Sequence, residues 1–442
     1  MLHDPIVALA TPPGRSALAV VRLSGRGALD VAARVIDGFR VAPARRATLA
    51  DFRAADGTTI DRGLYTVFPG PASYTGDDLV ELSCHGGLAA PAQLVAALVS
   101  AGARPAHAGE FTRRAVLNGK LDLLQAEGVA DLIDATAPAQ ASAAIGQLEG
   151  GLSRRLAALR ESLVGVQALL SYDIDFPGED DGTVPAERIA AALDGASGHI
   201  DRLLATAPAG ERVREGALLV FAGRPNVGKS SLFNALLGVE RALVTEVPGT
   251  TRDAVEAHTD FLGWPVRLAD TAGLRDASDG VERLGVEVSR RYLAAADLVL
   301  LCAEAGRPLA PDEAAIAAER PVLVVRTKAD LAPAGAGELA VSAPTGVGLD
   351  DVRHRAAERI FGNRLALADL EPALTRERHR VALDRARTAL AEARPHLARQ
   401  EGDPVLAAHH VRQAVSALDE LIGTVDVEEV LGAVFAGFCV GK

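Results

Sequence analysis

The segment GALLVFAGRPNVGKSSLFNALLG (216–238) constrains the fold more than any other part of the chain. An apolar run, a glycine-rich turn and a second apolar run with helical spacing follow one another directly, the order of a strand, a loop and a helix. Within it, Gly223, Gly228, Lys229 and Ser230 complete the pattern G-x-x-x-x-G-K-S. Glycines at these places let successive backbone N–H groups turn inward onto phosphate oxygens, beside the positive end of a helix. Lys229 then reaches the β- and γ-phosphates, and Ser230 ligates Mg2+. A strand feeding such a loop belongs in a mostly parallel sheet, and residues 216–350 alternate strand-like and helix-like patterns throughout.

Three further motifs stand at spacings that serve the same nucleotide. Asp270-Thr271-Ala272-Gly273 follows the apolar run VRLA, which places Asp270 at a strand end facing the Mg2+ shell and lets Gly273 offer an N–H to the γ-phosphate. Upstream, PGTTRD (248–253) offers Thr251 as a second Mg2+ ligand in a loop that can order around the γ-phosphate. After the strand-like PVLVVR comes Thr327-Lys328-Ala329-Asp330, where a carboxylate can accept from the N1 and N2 hydrogens of guanine. Adenine lacks that donor pair, so Asp330 argues for GTP over ATP. Ser342 and Ala343, after ELAVS, are suited to closing over the base. The usual base-recognition pattern is N-K-x-D, and here Thr327 replaces the Asn. A Thr donates one hydrogen bond but lacks the second polar atom of the amide, so it can brace the loop while guanine affinity falls.

The rest of the chain bounds the setting. With 442 residues there is length for about three domains. Residues 1–118 read as an α+β domain, 119–215 and 366–442 as helical, and 216–365 as the α/β block inserted between the two helical segments. Such an insertion is tolerated where two chain ends lie close on a surface. No stretch approaches the roughly 20 apolar residues of a membrane span, the first residues carry no basic leader pattern, and three well-separated cysteines argue for a reducing compartment. The reading is a cytoplasmic protein. A net charge of −12 argues against coating nucleic acid with the whole surface. Of 46 basic residues only Lys120, Lys229, Lys328 and Lys442 are lysines, which marks them as places needing a compact ammonium.

The combination resembles one family, the MnmE (TrmE) tRNA modification GTPases. The stretches ATPPGRSALAVVRLSG, SYTGDDLVELSCHGG, AGEFTRRAVLNGKLDLLQAEGVADLI, PGTTRD and FCVGK carry the resemblance from one end of the chain to the other. It implies a multidomain α/β and α protein: an N-terminal α+β folate-binding domain, a helical domain and an inserted P-loop α/β G domain. It also implies a homodimer that works with a separate FAD-dependent partner, MnmG (GidA), in a heterotetramer or larger assembly. That complex installs a carboxymethylaminomethyl-type group on C5 of the tRNA wobble uridine. The one-carbon source implied is a tetrahydrofolate derivative, 5-formyl- or 5,10-methylene-tetrahydrofolate, at Arg22, Glu81, Lys120 and Lys442. A carboxylate such as Glu81 can accept from the pterin, and the three cations can meet its glutamate tail. If the N-terminal domain dimerises, Lys442 can reach the neighbour's pocket.

The resemblance also fills out the nucleotide site. In the glycine loop it covers Asn226, Val227, Gly228, Lys229, Ser230 and Ser231. In the next loop it covers Thr245, Glu246, Val247, Pro248, Gly249, Thr250 and Thr251. Asp270 to Gly273, Thr327, Lys328, Asp330, Ser342 and Ala343 complete the set. Leu274 stands where Ras-like enzymes place a water-orienting Gln, so another group must act there. Asn226 has a side-chain oxygen that can ligate a monovalent cation, and carbonyls of the 245–250 loop can complete the shell. The family implies K+ here, with Thr245, Val247 and Thr250 as the loop ligands. Glu282 in GVERLG matches the family's water-positioning carboxylate, which makes Glu282, Lys229 and Asn226 the catalytic set, with hydrolysis dependent on dimerisation.

Other features leave alternatives open. The arginine-rich helix at 375–394 can hold RNA or be a solvated face with i,i+4 pairs. Cys439 in the FCVGK tail can be nucleophilic or merely packed. A ribosome-assembly GTPase without a cofactor, or a regulatory nucleotide sensor, would share the glycine loop but have no use for a folate pocket.

Overall fold

The computed structural model of the chain describes residues 4–41, 44–175, 185–238, 256–270, 291–362, 373–397, 402–423, 434–435 and 437–441. These fall into two compact units, Met1–Ala130 with Leu418–Lys442, and Asp131–Ala417.

In the first unit, strands β1 (Ile6–Leu9), β2 (Leu18–Ser24), β3 (Thr48–Arg53), β4 (Thr59–Phe68), β5 (Leu79–His85) and β6 (Arg104–Pro105) form one sheet in the order β3-β4-β5-β2-β1-β6. Helices α1 (Ala28–Val35) and α2 (Ala89–Ser100) supply Ala32, Val35, Leu94 and Leu98 to the core. That core takes Val21 and Leu23 from β2 and Val80 and Leu82 from β5. Side chains alternate across a strand. Arg22 and Glu81, directly paired across β2 and β5, therefore lie on the opposite face. Helix α3 (Glu110–Leu117) follows, and α4 (Leu123–Asp134) begins in this unit. Helix α2 buries Pro91, Leu94, Ala97 and Leu98, the spacing of one apolar helical face.

Residues near the end of the described chain pack within this unit. Val440 forms an antiparallel bridge with Ala108, and Gly109 N–H donates to the Cys439 carbonyl at 3.3 Å. Phe435 and Phe438 pack on Leu123 and Ala126. Gly441 is held so close to β1 that an added Cβ would sit 2.4 Å from the Leu9 carbonyl oxygen.

The second unit joins helices to a second sheet. Helices α5 (Pro138–Leu148), α6 (Gly151–Asp175), α7 (Ala186–Leu204) and α8 (Ala207–Glu215) lead into β7 (Ala217–Ala222), which is buried along its whole length. After α9 (Lys229–Leu237) come β8 (Glu256–Phe261), β9 (Trp264–Asp270), β10 (Leu298–Glu304), α10 (Pro311–Glu319), β11 (Val322–Thr327), β12 (Leu339–Ala340) and α11 (Leu349–Phe361). The sheet order is β12-β11-β10-β7-β9-β8, with every pairing parallel except the β8–β9 hairpin. Strands buried on both faces read as continuous apolar runs, which is what VLVVRT and LVLLCAE are.

Helices α12 (Glu377–Ala393) and α13 (Pro404–Ile422) follow the sheet. The arginines of α12 are engaged by acidic neighbours: Arg387 with Asp384 at 2.8 Å and Asp201 at 3.9 Å, and Arg380 with Glu377 at 3.3 Å and Glu211 at 3.9 Å. Of the two readings of this helix, the solvated and ion-paired face is the one that these contacts favour. The chain leaves the helices at Gly216 and is back against them at Leu374, whose N–H donates to Thr206 Oγ1 at 3.1 Å. Asp131 Oδ1 accepts from Arg214 before the sheet, at 3.3 Å, and from Arg376 after it, at 2.6 Å.

Candidate functional site: a P-loop and a paired Arg–Glu cluster

The phosphate loop sits at the carboxyl end of the buried strand β7. Gly223 opens it at φ +135°, and an added Cβ would lie 2.3 Å from the carbonyl oxygen of Cys302 on β10, so only glycine fits. Asn226 is in the left-handed region at φ +63°, and Gly228 at φ +98° caps α9. These turns aim the first N–H groups of α9 at one spot, where the helix dipole adds positive potential. Lys229 is buried, and its ammonium donates to the carbonyls of Gly223 at 3.0 Å and Arg224 at 2.8 Å. The lysine thus lies along the loop that it serves. Ser230 Oγ donates to Asp270 Oδ2 at 2.7 Å, which brings the predicted Mg2+ ligand and the predicted shell carboxylate together. Beneath the loop, burial pushes the Cys302 thiol up to about 12, so it stays a packed apolar group.

The base-side motif closes on the same loop. Thr327 is buried at the end of β11, and its hydroxyl donates to the Val227 carbonyl at 2.5 Å. Bracing, the part of the Asn role that a hydroxyl can keep, is kept. Lys328 has φ +58°, and Asp330 is exposed on the turn that follows. Ala329 N–H donates to Val341 at 3.1 Å, fixing this turn against the segment that carries Ser342 and Ala343. Ser342 Oγ is buried without a hydrogen-bond partner among the described residues.

In the first unit, Arg22 donates to Glu81 Oε1 through Nε at 3.1 Å and Nη2 at 2.7 Å. Its Nη1 lies 3.4 Å from the Gly441 carbonyl of the same chain, and its guanidinium stands 5.6 Å and 5.8 Å from the ring centres of Tyr74 and Phe111. Gly441 therefore reaches this pair from its own chain. Lys120 is exposed on the turn after α3, and among the described residues no hydrogen bond or ion pair joins it to Arg22 or Glu81.

Sequence reasoning missed a second charged cluster, built on Glu110 and Arg114 of α3. Arg104 donates to Glu110 at 2.6 Å and to Asp4 at 2.6 Å, and the buried Arg114 donates to the same Glu110 oxygen at 2.9 Å. Burial alone would raise Glu110, but Arg104, the His107 N–H and Arg114 outweigh it and bring the carboxyl down to about 2. It also missed Glu304, which pairs with Lys328. An acid one strand away in space but 24 residues away in sequence gives no periodic signal.

The MnmE helical domain family matches residues 123–439, and the family described as the GTP-binding protein TrmE N-terminus matches residues 5–120. The tRNA modification GTPase MnmE of Acidiphilium cryptum (strain JF-5) is 46% identical over 99% of this chain and 99% of its own length. That of Aquifex aeolicus (strain VF5) is 39% identical over 100% of both. This chain belongs to the MnmE family. Membership makes the P-loop that of a GTP-hydrolysing enzyme, with a TrmE N-terminal domain and a helical domain. Among solved structures, the G domain of the T. maritima FeoB iron transporter matches 32% of this chain and 98% of its own length at 28% identity, with a TM-score of 0.25. Among the described residues, no helix is long and apolar enough to cross a membrane. Of the MnmE-type positions expected above, Thr245–Thr251, Thr271–Gly273, Glu282 and Lys442 lie outside the described residues.

Proposed function

We propose that this chain is the GTP-hydrolysing subunit of a complex that modifies the wobble uridine of tRNA at C5 with a carboxymethylaminomethyl-type group. The observation that carries the nucleotide half is the convergence of Lys229, the Ser230–Asp270 pair and the Thr327 brace on one phosphate loop. The relatives' printed name supplies the tRNA half. A hydroxyl and a carboxylate 2.7 Å apart at a helix start form a hard-oxygen set that fits Mg2+. Ser230 and, by resemblance, Thr251 would hold the ion, which supplies charge neutralisation across the β- and γ-phosphate oxygens. Asn226, exposed in its left-handed turn, is available to K+ with Thr245, Val247 and Thr250. Glu282 orients water, and activity rises with K+ and with pairing of two chains. Asp330 reads guanine.

The Arg22–Glu81 pair is the proposed folate site. Both bonds from Arg22 to Glu81 use Oε1, which leaves Oε2 as an acceptor for pterin N–H groups on a side chain that is 30% exposed. Lys120 and Lys442 supply cations for the glutamate tail. A homodimer with MnmG as its FAD-dependent partner, acting in the cytoplasm, completes the reading.

Calorimetric titration of the purified chain with 5-formyl-tetrahydrofolate tests the folate half, with saturation near one per chain expected and Glu81→Gln weakening it. No saturable binding would favour a ribosome-assembly GTPase instead. Comparing GTP and xanthosine triphosphate in wild type and Asp330→Asn tests the base assignment, since the amide should turn preference toward xanthine. GTPase rates in K+ and Na+ at equal ionic strength, for wild type, Asn226→Ala and Glu282→Ala, test the cation and water roles.

A further inference from the structure

Glu304 closes β10 and lies beside Thr327, its register partner on β11. Its Oε1 accepts from Lys328 Nζ at 2.5 Å, and its Oε2 lies 3.1 Å from Arg307 Nη1. Around it, Arg326 donates through Nη1 to the Arg307 carbonyl at 2.8 Å and through Nε to Glu338 at 2.8 Å. Glu338 in turn accepts from Gly335 N–H at 2.7 Å. The turn that carries Asp330 is thus anchored by a set of charged contacts centred on Glu304 and Arg326.

This arrangement answers a shortage created by Thr327. Its one hydroxyl hydrogen goes to Val227, with the Ala303 carbonyl at 3.3 Å as its other acceptor, so no donor is left for a purine edge. Lys328 is then the remaining long side chain of the motif beside Asp330. It stands in a left-handed conformation that non-glycine residues seldom adopt. A four-carbon side chain on such a turn samples many rotamers unless its end is held, and the carboxylate of Glu304 holds it.

We propose that Glu304 is a positioning residue for guanine-nucleotide binding, fixing Lys328 so that the TKAD turn is set before the nucleotide arrives. The proposal rests on the assignment of that turn to the base. The hydrogen bond from Lys328 holds the Glu304 carboxyl below its ordinary range. Lys328 and Glu304 are 36% and 22% exposed, so the pair is partly screened and its effect is modest.

The test is equilibrium titration of the full-length chain with a fluorescent GDP, alongside steady-state GTP hydrolysis. Glu304→Gln is expected to raise Kd and KM by roughly three- to fivefold while kcat and the melting midpoint stay at wild-type values. Added salt should shrink that difference, and in a Lys328→Met background Glu304→Gln should change Kd no further. Unchanged Kd in Glu304→Gln would overturn the proposal. Tighter binding would overturn it too, because the carboxylate would then be competing with the nucleotide for the lysine. Equal wild-type affinity for guanine and adenine nucleotides would instead sink the base assignment beneath it.

Discussion

Ser230 Oγ donates to Asp270 Oδ2, so the first turn of the phosphate-loop helix is tied to the end of the neighbouring strand β9. Both groups are oxygen ligands of the kind that Mg2+ takes. Ser230→Ala is expected to lower kcat/KM for GTP by about 100-fold and to raise the Mg2+ concentration needed for half-maximal rate. A phosphate-release assay over a Mg2+ series reads both. An unchanged Mg2+ midpoint would remove Ser230 from the metal shell.

Thr327 spans the two halves of the nucleotide site through the Val227 carbonyl. Thr327→Val keeps the shape and deletes the donor, leaving a buried carbonyl unsatisfied at a cost of about 1–2 kcal/mol. The expected result is weaker nucleotide binding with a small loss of melting temperature, checked by GDP titration and calorimetry. Affinity equal to wild type would mean that the brace is idle.

These two sites show what could be read in advance and what could not. Gly223, Gly228, Lys229, Ser230 and Asp270 were legible because each is bound to a local pattern, a strand end or a helix start whose period is written in its neighbours. The departure at Thr327 was legible, and its remaining bond was inferred from the chemistry of a hydroxyl. Glu304 and Asp131 were not, because their partners come from distant segments and a carboxylate on a helix or strand end looks the same paired or unpaired. The landing of Val440 and Gly441 on Ala108 and Leu9 was invisible for a like reason: a short tail with one bridge has no repeat to reveal its partner.

Gly210 in α8 presses on the returning chain, where an added Cβ would fall 2.1 Å from the Leu374 carbonyl oxygen. Gly195 in α7 faces open space. Gly210→Ala should therefore destabilise by about 1–3 kcal/mol through overpacking, whereas Gly195→Ala should stabilise by about 0.5–1 kcal/mol through helix propensity. Differential scanning calorimetry of the two variants separates them by sign.

Glu110 should impart an acid limit to the first unit. Its carboxyl is depressed from an ordinary 4.5 to about 2 in the folded chain. The ionised form is thus favoured by folding, and the stability it brings is full above about pH 4.5 and is lost as pH falls toward 2. Glu110→Gln is expected to cost about 2 kcal/mol at pH 7, with the gap to wild type closing on acidification. Urea unfolding at several pH values measures it, and a gap independent of pH would show that the charge is not what matters.

The bridge between Ala108 and Val440 has a consequence for biosynthesis. The first unit emerges from the ribosome early, but the strand partner that finishes it is translated only after the whole of Asp131–Ala417. Until then Leu123 and Ala126 lack the contacts that Phe435 and Phe438 give them. Any message cut short between these points therefore yields a chain whose first unit lacks this bridge.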